Sequence, residues 1–196
     1  MSSLNPRTVG LFGTCGGSAW RDPFMQLLDL HGIPYFNPQV DNWTPELAEV
    51  KAWHLANDRL ILFPVTSETF GFGSLAETGF SVQSALALNT NRFVLLFIAP
   101  DVSDALKAAD PAQADASRRA RKLALAHLAK VTNPNVFVAE SLQDMMGKML
   151  KLYAALELLD SVREASPDWR STMSPAAWLE MVQGSTAQVE VPETVS

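Results

Sequence analysis

A chain of 196 residues, 47% hydrophobic and 18% charged, has the length of one ordinary domain and the composition of a folded globular protein. Its formal net charge of −6 lacks the basic surplus that a nucleic-acid polymer requires, although a small anion needs only a local site. The single cysteine, Cys15, excludes an intramolecular disulfide framework, and the longest apolar runs, such as Phe93–Ala99, are too short to span a bilayer. No charged-then-apolar leader pattern precedes the first strand, so a cytoplasmic protein with no membrane partner is expected.

In chain order, Val9–Gly13 reads as a buried strand and Asp22–His31 as a helix with Phe24, Leu27, Leu28 and Leu30, ended by Gly32. Ile33–Phe36 is a weaker strand whose Pro34 suits an edge or a strand start. A helix over Pro45–Asn57 follows, with Thr44 as N-cap and Pro45 at the first helical position. Strands at Arg59–Val65, Arg92–Ala99 and Asn135–Ala139 then alternate with helices at Ser74–Leu88, Ala112–Val131 and Leu142–Val162. The strand runs are continuously apolar, as expected when helices cover both faces of a parallel sheet. This alternation predicts a doubly wound α/β fold of five strands in the order 2-1-3-4-5, with its switch point between strands one and three. The α/β domain is expected over residues 1–165. Residues 166–196 form an extension with a short helix candidate at Pro175–Val182 and a tail.

The switch point brings together the two glycine-rich loops of the chain. The first runs Gly13, Thr14, Cys15, Gly16, Gly17, Ser18, Ala19, Trp20, Arg21. Its glycines suit either a phosphate or ribose cradle or a plain tight turn, and it matches neither a Walker motif nor a dinucleotide fingerprint. Trp20 could stack on a base or pack in the core. Arg21 could fork a phosphate or sit solvated in a first turn.

The second loop leads into Gly73, Ser74, Leu75, Ala76 and Glu77. Ser74-x-x-Glu77 matches a capping box, as Ser141-x-x-Asp144 resembles one, so Glu77 is either a cap or an active-site carboxylate. The glycines at 71, 73 and 79 and the switch-point position weigh toward the second role.

Three segments in this order, Val9–Arg21, Phe36–Trp43 and Gly73–Gly79, resemble the nucleoside 2-deoxyribosyltransferases, and more closely their divergent branch, over about residues 8–160. The resemblance implies a flavodoxin-like fold, a homo-oligomer, and cleavage of the N-glycosidic bond of a nucleoside or nucleotide. It implies Glu77 as the nucleophile at C1′ and a glycosyl-enzyme intermediate, by logic shared with retaining glycosidases. Family members place an aspartate six residues before the nucleophile, where this chain has Gly71. Glu68 stands nearby, and Glu49 best matches the family's other acid. Asp41 and Trp43 are further substrate-binding candidates, Asp41 being equally a turn residue. A non-catalytic nucleotide-binding module is the alternative use of the same crevice.

No cofactor is implied. His31, His54 and His127 lack metal-ligand spacing, and His54 reads as a solvated helix residue. Ser117, Arg118 and Arg121 read as a charged helix start; the alternative, from the i,i+4 spacing of Ser117 and Arg121 and the shared face with Leu125 and Leu128, is an Arg121 partly buried and paired. The apolar helix Leu142–Val162 suggests either a subunit interface or cover by the C-terminal segment.

Overall fold

The computed structural model describes residues 7–40, 44–88 and 91–165. Its elements are β1 (Val9–Leu11), α1 (Arg21–Leu30), β2 (Tyr35–Phe36), α2 (Pro45–Asn57), β3 (Leu60–Val65), α3 (Phe72–Leu88), β4 (Phe93–Ile98), α4 (Asp104–Ala109), α5 (Pro111–Leu128), β5 (Val136–Val138) and α6 (Leu142–Ala165). All four strand pairings are parallel, in the order β2-β1-β3-β4-β5. This is the doubly wound, flavodoxin-like α/β arrangement. The α/β unit covers Met1–Leu156; a second unit, Glu157–Ser196, begins within α6. The Pro175–Val182 helix and the tail lie outside the described residues, as do Asp41 and Trp43.

Successive residues of a strand point to opposite faces, so each continuous apolar run fills two cores at once. Leu60, Leu62 and Leu95 pack with Phe24 and Leu28 of α1 and with Met145 and Met149 of α6. Ile61, Phe63, Val65 and Leu96 pack on the other face with Val82 and Leu86 of α3. Each such side chain contributes roughly 1.5–3 kcal/mol on full burial. The packing of Met145, Met149, Tyr153 and Leu156 accounts for much of the apolar content of α6 within the chain itself. No helix among the described residues is long and apolar enough to cross a membrane.

Local signals set the helix ends. Gly32 at φ 63° closes α1, with amide bonds from Gly32 to Asp29 O and from Ile33 to Leu28 O. Thr44 Oγ1 caps α2 at the Leu47 amide, and Ser141 Oγ caps α6 at the Asp144 amide. The short α4, absent from the sequence reading, is capped by Ser103.

His54 is not a solvated residue. Its ring stacks on Phe36 at 3.7 Å, and Nδ1 lies 2.9 Å from Asp58 Oδ1. Asp58 and Arg92 are fully buried, and Arg92 donates to the Leu55 and Ala56 carbonyls of α2. Burial pushes the Asp58 carboxyl up to about 8, against the pull of Arg92. The folded chain therefore holds this proton more tightly than the unfolded chain does. The resulting stabilisation is complete below the ordinary value of 3.8 and is lost as pH rises through 8. Burial lowers His54 from its ordinary 6.5, which acts in the opposite sense at lower pH. Between pH 6.5 and 8 the melting temperature is thus expected to fall with pH, and Asp58→Asn to flatten that fall. Equal slopes in the two proteins would contradict the assignment.

Candidate functional site

The crevice exists because β1 and β3 part company. They pair at Val9 with Leu60, Gly10 with Ile61 and Leu11 with Leu62, and β3 then continues alone on this side to Val65. Pro64 has no amide hydrogen to offer the ladder. Its carbonyl instead takes the Thr14 amide at 2.9 Å and the Thr14 hydroxyl at 3.2 Å. Gly13, at φ 96°, presses on the same proline, where a Cβ would stand 2.4 Å from Pro64 O. Strand one therefore ends at Leu11 rather than at the expected Gly13, and the chain turns outward over the carboxyl end of the sheet.

Buried hydroxyls tie the two loops together. Thr14 Oγ1 accepts the Thr66 amide at 3.0 Å, and Ser18 Oγ lies 3.0 Å from Thr66 Oγ1. Ser18 Oγ also donates to Glu68 Oε2 at 3.1 Å. Partial burial pulls the Glu68 carboxyl upward. Hydrogen bonds from Thr66, its own backbone and Ser18, with the field of Arg121, outweigh that and hold it below the usual carboxylate range. Glu68 thus stands at the crevice as a fixed anion. Cys15, Gly16 and Gly17 are exposed, and among the described residues their amides make no hydrogen bond. Gly16 and Gly17 have φ of 63° and 56°, which explains glycine at both positions. Beside them opens a cavity of about 460 Å³, lined by Gly17, Ser18, Asp22, Asn37 and Gln39 among others.

Trp20 and Arg21 serve the fold rather than a ligand. Trp20 is buried, donates Nε1–H to Thr14 O at 2.9 Å and meets Phe24 edge-on, leaving no ring face for a base. Arg21 is buried beneath the loop. It donates Nε–H to Leu11 O, Nη1–H to Thr14 O and to Gln39 Oε1, and Nη2–H to Cys15 Sγ. A guanidinium so engaged cannot fork a phosphate, so both ligand-contact expectations are corrected. The cause is the early end of β1, which leaves carbonyls that need buried donors.

The second loop is built around Arg121, which is fully buried rather than part of a solvated helix start. Nε–H donates to Ser117 Oγ, Nη1–H to Val65 O and Ala99 O, and Nη2–H to Thr66 O and Thr69 O. All five donors of the guanidinium are used. Ser117 Oγ in turn donates to Phe70 O at 2.6 Å. Gly71 sits at φ 69°, and a Cβ there would lie 2.9 Å from both Arg121 Nη2 and Val65 Cγ1. Backbone conformation and space both favour glycine at this position. Gly71→Asp is expected to lower stability by about 2 kcal/mol or more from left-handed strain and crowding, read as a loss in denaturant midpoint. A neutral result would contradict the tight packing.

Helix α3 begins at Phe72, and the Leu75 amide bonds Gly71 O at 2.8 Å. Gly73 and Ser74 are therefore already helical, Ser74 is not an N-cap, and Glu77 lies in the second turn. The capping box proposed for this pair does not form. Glu77 Oε1 instead takes a 3.4 Å contact from Lys51 Nζ of α2, with 42% of its side chain exposed. Glu49 is exposed on the same helix, and the structure does not bring it to Glu77. Residues two apart stand about 200° around a helix from each other, so the turn that aims Lys51 at α3 aims Glu49 elsewhere. Gly79 has open space where its Cβ would be, so close packing does not explain it. It lines an apolar cavity of about 410 Å³ between α3 and α5. Among the described residues, no group of His, Cys, Asp and Glu could hold a metal ion.

Lys51 and Gln39 escaped the sequence reading as site residues, and Glu68 entered it only as a neighbour of Gly71. The signal for Glu68 and Gln39 was position, each a few residues past the carboxyl end of a strand beside the switch point.

No family model matches the chain, and no curated protein matches it. Among solved structures, a chain from the crystal structure of the RPS4 and RRS1 TIR domain heterodimer is similar over 76% of this chain and 96% of its own length, at 8% identity and a TM-score of 0.48.

Proposed function

We propose that this chain cleaves or transfers at the N-glycosidic bond of a nucleoside or nucleotide, with Glu77 as the attacking carboxylate. The observation that carries the reading is the release of Glu77 from any capping duty: it lies half exposed just past the glycine loop at the switch point. Its exposed ion pair with Lys51 is worth at most about 1 kcal/mol, so a substrate displaces it easily. In the reaction, a Glu77 oxygen bonds C1′ as the C1′–N bond breaks, and the bond electrons leave with the base, which takes a proton from solvent. Water or the nitrogen of a second base then attacks C1′, loses a proton and frees Glu77. Glu68, held ionised, suits the acceptance of hydrogen bonds from sugar hydroxyls rather than donation of a proton to the leaving base.

The test is incubation with a panel of purine and pyrimidine 2′-deoxynucleosides and their 5′-monophosphates, with chromatography for free base. Release of base supports the reading. Saturable binding of a nucleoside without release would replace it with the binding-module reading.

A further inference from the structure

The cavity between the loops after β1 and β2, lined by residues other than Glu77, has polar groups that make no hydrogen bond among the described residues. Arg21 can only donate, so the group it meets on Gln39 at 3.0 Å must be the amide oxygen. The Gln39 backbone amide is held as well, donating to Asn37 Oδ1 at 2.9 Å. Asn37 Nδ2 is directed to Met25 Sδ at 3.6 Å. Gln39 is thereby fixed at its oxygen and its backbone, and its Nε2 hydrogens have no acceptor among the described residues. Asp22, exposed in the first turn of α1, lines the same cavity, and its carboxylate has no partner among the described residues. One cavity therefore presents an oriented pair of amide donors and an acceptor with two oxygens, neither of them used by the fold.

We propose that Gln39 and Asp22 select the base of the nucleoside, and that the base they select is a 2-amino lactam, the guanine type. Guanine carries two neighbouring donors, N1–H and the 2-amino group, beside the O6 acceptor. A carboxylate can take both donors at once, and Gln39 Nε2–H can serve O6. Hypoxanthine keeps the lactam and loses the second donor. Adenine sets an unprotonated ring nitrogen where the carboxylate needs a hydrogen. Arg21 and Asn37 act as positioning residues, because the donor on Gln39 is aimed by the bonds they make. The cavity volume of about 460 Å³ is within the range of small-molecule sites.

The proposal rests on the nucleoside reading above only for the class of ligand, and its test reads binding rather than bond cleavage. Calorimetric titration of the full chain with 2′-deoxyguanosine, 2′-deoxyinosine and 2′-deoxyadenosine is expected to rank affinities in that order, with about tenfold between guanine and hypoxanthine and a larger gap to adenine. Asp22→Asn, at a position exposed and without a side-chain partner among the described residues, is expected to keep the wild-type melting temperature and to abolish the preference. Gln39→Leu is expected to weaken guanosine binding about tenfold by removing the donor to O6. Equal affinity for all three nucleosides, no binding of any, or a preference that survives in Asp22→Asn would overturn the proposal. A guanosine preference without base release would refute the catalytic reading alone. Base release without a preference would refute this one alone.

Discussion

Arg121→Met is expected to collapse the β3–α3 loop and to lower the melting temperature by about 8–16 °C, the shift that roughly 4 kcal/mol produces in a domain of this size. The arithmetic follows from the acceptors. Val65 O, Ala99 O, Thr66 O and Thr69 O all receive hydrogen bonds from the one guanidinium. Val65 O keeps the Ala99 amide at 2.9 Å; each of the other buried carbonyls left without a donor costs about 1–3 kcal/mol, and the loop recovers part of that by relaxing toward water. The Ser117 hydroxyl, which joins Arg121 to Phe70 O, is disturbed as well. Lysine is an informative second variant. It keeps the charge but has three donors on a point rather than five in a planar fork, so an intermediate loss is expected. A methionine variant melting within about 2 °C of wild type would show that the loop holds its shape without the fork.

Glu77→Gln is expected to suppress base release by at least about 10⁴-fold while leaving the melting temperature nearly unchanged. The amide is isosteric with the carboxylate and cannot form the glycosyl ester. Stability is spared because Glu77 caps nothing and its one ion pair among the described residues is the exposed 3.4 Å pair with Lys51. The two readouts separate the roles cleanly. A variant that releases base at the wild-type rate removes Glu77 from the chemistry. A variant that melts several degrees lower assigns it to the fold. The measurement is a single-turnover rate beside a melting curve on the same preparation.

The strand order was legible because its determinants are local. Four continuous apolar runs mark buried parallel strands, and Thr44-Pro45 and Gly32 mark helix ends without reference to the rest of the chain. What escaped depends on partners distant in sequence. β1 ends early because of Pro64, some fifty residues away, and nothing near Leu11 reveals it. The i,i+4 spacing of Ser117 and Arg121 was visible, but the carbonyls they meet belong to residues 65–70 and 99. The capping motif was right at Ser141 and wrong at Ser74. Gly71, in a left-handed conformation that sequence alone did not reveal, starts α3 two residues before the expected serine. At the site itself, the burial of Trp20 and Arg21 was not legible, because an indole and a guanidinium are equally suited to a ligand and to buried carbonyls.

Every atom that Arg121 grips in the β3–α3 loop is main-chain oxygen. The curve of that loop is therefore indifferent to which side chains it carries at Ser67 and Thr69. Those positions can be randomised as a library with the scaffold left intact. The rim facing the crevice can then be rewritten for a new ligand without redesigning the support beneath it.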